Sequence, residues 1–191
     1  MTDLHKGRVN YDEFTFKNKT MNDLSKKYSK AIIAIHWISA ILILSLFPLG
    51  KYMEGLTESE KMGLIKVHAI LGVLVFILTL LRIFFFFKHE RPSDLKTGSK
   101  FNDKLAVWIH NLFYFLLIGI CLSGIASMIL GGYGDALSAN SFELIKSREE
   151  IVPLKPHEVM SVFMMIFLAL HVVGVIKHFI LKKENTLKRI S

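Results

Sequence analysis

Histidines are the residues whose type and position in this sequence point most directly to chemistry. There are eight, and six of them lie within or beside long apolar runs: His36, His68, His110, His157, His171 and His178. An ionisable side chain inside such a run is costly to place in a bilayer, so it usually has a partner or a purpose. Imidazole is also a common metal ligand. The pattern therefore suggests ligation of a metal group within a membrane.

His157 and His171 belong to the same apolar run and are 14 residues apart. On an α-helix this separation is a rotation of about 1400°, which is about 40° short of four turns, so both side chains lie on one face. Along the helix axis they are about 21 Å apart. A single metal ion cannot bind both at that distance, whereas two groups, one near each membrane surface, can each bind one.

The depth of each histidine in its run predicts how the ligands pair. His36 and His171 lie about nine or ten residues from the inner ends of the first and last runs, whereas His68 and His157 lie at the outer ends of theirs. Two imidazoles on opposite faces of a haem give a six-coordinate iron, which has no free position for dioxygen. The sequence therefore predicts two electron-transferring haems, bound by His36 with His171 and by His68 with His157.

The second run carries a stripe that supports this interpretation. His68, Gly72, Thr79 and Arg82 lie within about 40° of one line along a helix. A glycine one turn from a ligand leaves room for a flat macrocycle, and Arg82 can pair with a haem propionate or extend to the membrane interface. A lone intramembrane histidine is more often a packing or hydrogen-bonding residue, and this is the favoured interpretation for His110, which has no obvious partner at its depth beyond the two pairs.

Long apolar runs are the elements that must position these residues. Of the 191 residues, 52% are hydrophobic, and the mean hydropathy is +0.42. About 20 apolar residues cross a bilayer as a helix, which satisfies its own backbone hydrogen bonds. The runs predict an all-α membrane protein with a four-transmembrane-helix bundle, and none resembles a cleaved signal peptide. They cover residues 31–49, 64–87, 105–130 and 159–181.

The distribution of charge predicts the topology. Seventeen of the 24 Lys and Arg residues lie in the two terminal segments and the loop after the second run, and six lie in the other two loops. By the positive-inside rule, both termini are expected to be cytoplasmic. We expect no nucleic-acid binding, because the basic excess is a topology signal. Residues 1–26 are expected to form a mobile cytoplasmic tail, and residues 27–190 the four-helix domain.

The chain resembles the bacterial cytochrome b561 family, and within it the small di-haem, four-helix type that includes superoxide oxidase. The resemblance covers roughly residues 27–190 and rests on these motifs: Tyr28-Ser29, Ile35-His36-Trp37, Val67-His68 with Gly72 and Arg82, His110 with Gly124, His157-Glu158, Leu170-His171, His178 and Asn185-Thr186-Leu187. It implies two haem b groups with iron ligands His36, His68, His157 and His171. It also implies a ubiquinone site near the cytoplasmic haem, with His178 as a contact.

Three functions of different classes fit the sequence. The first, favoured by the compact length, is a superoxide:ubiquinone oxidoreductase of the bacterial inner membrane, surrounded by membrane lipid; no catalytic residue is assigned. The second is a cytochrome b subunit that relays electrons between quinone or quinol and a partner dehydrogenase. The third is a cofactor-free scaffold or small transporter. Lys61, Lys66, Arg148 and Lys155 could steer an anion, although the outer loops carry a net charge of −1.

Overall fold

The computed structural model describes residues 28–88 and 100–182. These residues form five α-helices and two single-turn 3-10 helices, with no strand among them. The expected N-terminal tail and most of the loop between the second and third spans lie outside the described residues. The α-helices are α1 (Lys30–Met53), α2 (Glu58–Lys88), α3 (Lys100–Leu130), α4 (Tyr133–Ala139) and α5 (Leu154–Lys182), and the 3-10 turns are Phe142–Leu144 and Arg148–Glu150.

Four of the helices, α1, α2, α3 and α5, are long and apolar enough to cross a membrane. This confirms the predicted all-α fold with four spans. Many of their large apolar side chains face outward, as Phe115 and Ile129 do, and in a bilayer lipid covers such surfaces. An even number of crossings puts the two ends of this bundle's chain on one side of the membrane.

The helices begin earlier than the apolar runs because polar residues cap them outside the hydrocarbon. Ser29 caps α1, where its side chain accepts a hydrogen bond from the Ile32 amide at 3.4 Å. Before α2, the Thr57 amide and hydroxyl both donate to Glu60 Oε2, at 2.9 and 2.7 Å, as in a capping box. Hydropathy detects only the membrane-buried part, so α2 starts six residues before the predicted boundary at residue 64.

Each spanning helix packs on the next in the chain, α1 on α2, α2 on α3 and α3 on α5. The α3–α5 crossing is close, since a Cβ on Gly119 would lie 2.7 Å from Met160 Sδ. Between α2 and α3, the buried Cys121 thiol donates to the Gly72 carbonyl at 3.9 Å. Small and flexible side chains thus lie where these helices approach most closely.

Residues 131–153 fold into a compact unit, hereafter the cap, over one end of the bundle. Gly132 has a φ of 74°, a left-handed conformation that favours glycine, and the Lys146 amide donates to the Gly131 carbonyl at 3.0 Å. Ile151 is only 2% exposed. The cap is fixed to α5 by an ion pair of 2.6 Å between Arg148 and Glu158. The sequence predicted a segment without a span here, which is confirmed, but not this compact fold.

Candidate functional site

A cavity of about 460 Å³ lies inside the bundle at the end that carries the cap. This volume falls within the range of about 300–1,000 Å³ that is usual for cofactor and small-molecule sites. All four spanning helices contribute to its wall, through residues such as Phe47 of α1, His68 of α2, Leu117 of α3 and His157 of α5. Most of the lining side chains are apolar, so the two imidazoles are among the few polar groups that face the cavity.

His68 and His157 approach each other across this cavity. Their ring centres are 6.2 Å apart, and the ring planes are inclined by 69°. A metal–imidazole bond is about 2 Å long and a ring nitrogen lies about 1.1 Å from its ring centre, so two imidazoles on one ion have centres roughly 6 Å apart. The observed spacing therefore suits one metal between the two rings. The pairing of these two histidines was predicted from their depth alone.

The hydrogen bond of His157 determines which of its nitrogens can bind a metal. Its Nδ1 lies 2.8 Å from the carbonyl oxygen of Ile120. A carbonyl oxygen only accepts hydrogen bonds, so Nδ1 carries the proton and donates it. In a neutral imidazole the lone pair is then on Nε2. His157 is therefore held in the tautomer that a metal ligand needs, with its backbone partner already in place.

Glycines surround the two rings where they face the cavity. A Cβ on Gly50 would lie 3.5 Å from His68 Cε1, and a Cβ on Gly124 would lie 3.0 Å from His157 Cε1. Gly72, also in the cavity wall, has no atom within 4 Å of the place where a Cβ would stand. Side chains at these positions would enter the space beside the imidazoles, so the wall keeps room for a flat group.

These residues fit a haem better than a bare ion. Within the described ranges, no group of three or more His, Cys, Asp or Glu residues could hold a metal ion. A haem iron takes four ligands from its macrocycle and needs only two axial ligands from the protein. In addition, His68 Nδ1 is buried without a hydrogen-bond partner in the described part of the chain, so that ring is held by packing alone.

The opposite half of the bundle contains the second set of predicted residues. His36, Arg82, His110 and His171 come within electrostatic range of one another there. The ring directly against His171 is that of His110, with centres 5.3 Å apart and nearly perpendicular planes, and Phe113 lies on it at 5.5 Å. The ring of His110 thus lies against a member of one predicted pair, because α3 packs on α5 and brings the two rings together.

Arg82 is half-buried and lies over the ring of Tyr114, at 5.8 Å from its centre. Tyr114 is one turn from His110 on α3, so this cation–π contact joins α2 to the same cluster. His178, the predicted quinone contact, lies on α5 seven residues after His171, but its side chain is outside the described part of the structure.

Charged residues at the cap end of the cavity form two ion pairs. The wall includes the cations Lys51, Lys61 and Arg148 and the carboxylates Glu54 and Glu158. Lys51 pairs with Glu54 at 2.7 Å, and Arg148 with Glu158. Of the four cations expected to steer an anion, Lys61 and Arg148 are in the wall, whereas Lys66 and Lys155 are not. The Lys51–Glu54 spacing was visible as a helical i, i+3 pair, but the ten-residue separation of Arg148 and Glu158 gives no such signal.

Comparison with known proteins identifies the family of this chain. The family model of the prokaryotic cytochrome b561 family matches residues 27–191. "Cytochrome b561 homolog 1" of Escherichia coli (strain K12) is 24% identical over 171 residues, covering 86% of this chain and 96% of that protein. "Probable superoxide oxidase CybB" of Yersinia pestis is 25% identical over 174 residues, covering 87% and 97%. The chain is a multi-pass bacterial membrane protein that belongs to the prokaryotic cytochrome b561 family.

Proposed function

We propose that this protein binds two haem b groups and transfers electrons across the bacterial inner membrane to ubiquinone, with superoxide as the electron donor. The observation that carries the proposal is the approach of His68 and His157 across one cavity, with ring centres 6.2 Å apart. This spacing and the tautomer of His157 suit two axial ligands of one iron. Membership of the cytochrome b561 family supports haem binding and electron transfer as the general activity.

In the cap-end site, His68 and His157 would hold the haem through its iron. Bound haem supplies reversible one-electron transfer at its iron. The chain itself fixes the His157 tautomer through the Ile120 carbonyl and lines most of the cavity with apolar side chains. The buried Ile151 and the ion pair of Arg148 keep the cap closed over the site. Ligands held rigidly in a mostly apolar pocket need little rearrangement when the charge of the site changes.

In the opposite half, His36 and His171 would be the second axial pair, as their depth predicts. They belong to α1 and α5, the first and last helices, which do not pack extensively on each other. Arg82 would neutralise a propionate at this site, since a half-buried cation in a span needs a partner of opposite charge. His110 would then contact His171 at the ring edge as a packing neighbour.

The charges around the cap-end cavity support an anionic donor. The net charge of the whole outer loops is −1, which is unfavourable for binding an anion. The cavity wall, however, has three cations and two carboxylates. Cations therefore outnumber carboxylates among the described residues of the wall, and a charged cleft with low-dielectric walls concentrates its field. In the net reaction, two superoxide anions each lose one electron to become dioxygen, and one ubiquinone takes up two electrons and two protons. The relative from Yersinia pestis is named a probable superoxide oxidase.

The quinone would bind at the end of the bundle opposite the cap, where α5 ends. The proposal of His178 as its contact rests on the family resemblance. The charge distribution of the sequence puts this end in the cytoplasm, so the two protons would come from there, with Lys177 or His178 delivering them. The cap end would face the periplasm, where superoxide reaches the site.

The test is an assay of purified protein with enzymatically generated superoxide and a water-soluble ubiquinone. We expect ubiquinol to form at a rate that superoxide dismutase abolishes. Lys61→Glu should slow the reaction by making the cavity wall more negative, while Lys66→Glu, an equal charge change outside the cavity wall, should have a smaller effect. Ubiquinol formation that is insensitive to dismutase, or absent from a haem-loaded protein, would refute superoxide as the donor.

A further inference from the structure

Three residues in one turn of α3 lie against the ring of His157: Ile120, Ser123 and Gly124. The Ile120 carbonyl accepts the Nδ1 hydrogen bond at 2.8 Å, and Ser123 Oγ lies 3.5 Å from the same nitrogen. A Cβ on Gly124 would lie 3.0 Å from Cε1 and 3.1 Å from Nδ1 of the ring. Positions three and four residues apart share one side of a helix, so residues 120–124 form a single support for the imidazole.

Gly124 fixes where the ring can stand. A methyl group at 3.0 Å is closer than an ordinary van der Waals contact, so a Gly124→Ala side chain and the ring could not both keep their places. The ring cannot rotate freely to escape, because its Nδ1 is tied to Ile120. Any movement that relieves the contact would therefore lengthen this hydrogen bond or turn Nε2 away from the cavity.

Ser123 affects the strength of the same hydrogen bond. Its hydroxyl lies 2.6 Å from the Gly119 carbonyl and 3.0 Å from the Ile120 carbonyl. A hydroxyl has one proton, which the Gly119 and Ile120 carbonyls share, so the Ile120 oxygen accepts from His157 Nδ1 and, in part, from the Ser123 hydroxyl. A carbonyl that accepts from a second donor has less negative charge left for the first. Removing the hydroxyl should strengthen the bond from His157 to Ile120.

The two facing imidazoles differ in the hydrogen bonding of their Nδ1 atoms. His157 donates from Nδ1 to a carbonyl, whereas His68 Nδ1 is buried and has no hydrogen-bond partner among the described residues. A histidine whose distal N–H donates to an acceptor is a more basic ligand. The support on α3 thus acts on one ring of the pair only, and it makes His157 the more basic ligand of the two.

We propose that Ser123 and Gly124 are positioning residues, which set the donor strength and orientation of His157 and thereby the reduction potential of the cap-end haem. This inference rests on the proposed function, because it needs a haem between His68 and His157. A more basic axial ligand stabilises the oxidised iron and lowers the potential. Axial ligation and hydrogen bonding near a haem are the two means by which the chain can act here.

The experiment is a spectroelectrochemical titration of four purified variants beside the unmodified protein, with haem-to-protein ratios. Ser123→Ala should bind two haems and shift one of the two potentials to a more negative value. Its matched control is Ser45→Ala, which removes an exposed hydroxyl bonded to a helix carbonyl in the same way and should leave both potentials unchanged. Gly124→Ala should lose part of one haem or convert it to a high-spin spectrum. Its control, Gly63→Ala, adds a methyl to a helix where no atom lies within 4 Å and should keep both haems.

The outcomes separate this inference from the proposed function. A haem-loaded protein in which Ser123→Ala leaves both potentials unchanged, or raises one, overturns the inference and leaves the proposed function intact. An unmodified protein that binds no haem overturns both. If Gly124→Ala does not accumulate in the membrane, the sign of the shift in Ser123→Ala decides the question.

Discussion

Ile151 offers a direct test of how the cap is held on the bundle. Its side chain is 2% exposed and stands so close to Gly131 that a Cβ there would lie 2.9 Å from its Cδ1. Ile151→Ala removes three buried carbon atoms and leaves a void, a change that costs about 2–5 kcal/mol. The cap is a local unit beyond the membrane spans, so we expect the loss to open the cap without unfolding the bundle.

Trypsin can report this opening, since Lys146 and Arg148 are exposed residues of the cap. When opening and closing are fast, the cleavage rate follows the population of the open form. A loss of about 2 kcal/mol corresponds to cleavage roughly 30-fold faster, at about 1.4 kcal/mol for each factor of ten. The assay is limited proteolysis of detergent-purified protein, with cap fragments quantified by mass spectrometry.

The neighbouring residue provides the control. Val152 is 77% exposed, so Val152→Ala makes a similar truncation without a void and should change the cleavage rate little. Equal cleavage rates for Ile151→Ala and Val152→Ala would refute the reasoning, since they would show that burial of Ile151 does not hold the cap.

Six further variants test the two proposed haem sites and the proposed quinone contact. His68→Ala should remove the cap-end haem and halve the haem-to-protein ratio, measured by pyridine haemochrome; an unchanged ratio would contradict this ligand assignment. In the other half, His171→Ala should lose one haem while His110→Ala keeps both, and the reverse would make His110 the ligand. Arg82→Gln should shift the second haem to a more negative potential in a redox titration, because a nearby cation stabilises the reduced site, whereas Arg82→Lys should shift it less. His178→Ala should slow ubiquinone reduction with both haems bound, and unchanged turnover would remove His178 from the quinone site.

The spans and one histidine pair could be predicted from the sequence for clear physical reasons. Bilayer thickness imposes a minimum length on each apolar run, so four runs mean four helices. Helical periodicity and depth then place His68 and His157 at the same level, and the structure brings their rings together. Depth and periodicity are properties of each helix alone, so they can be predicted without knowledge of how the helices pack.

Contacts that depend on how helices pack could not be predicted in this way. The approach of His110 to His171 follows from the α3–α5 crossing, and no spacing along either helix encodes it. The hydrogen bond from His157 to the Ile120 carbonyl joins residues 37 positions apart. Its acceptor is a backbone carbonyl, which every residue has, so the residue type gives no sign of it. The cap likewise depends on the burial of one isoleucine and on the left-handed Gly132 within a segment that hydropathy describes only as polar.

The most direct test of the central claim is the absorption spectrum of the detergent-purified protein, oxidised and then reduced, with a haem-to-protein ratio. Two axial histidine pairs require a low-spin b-type spectrum and two haems per chain. A protein that remains colourless when expressed with ample haem would contradict the claim and would leave only the membrane fold.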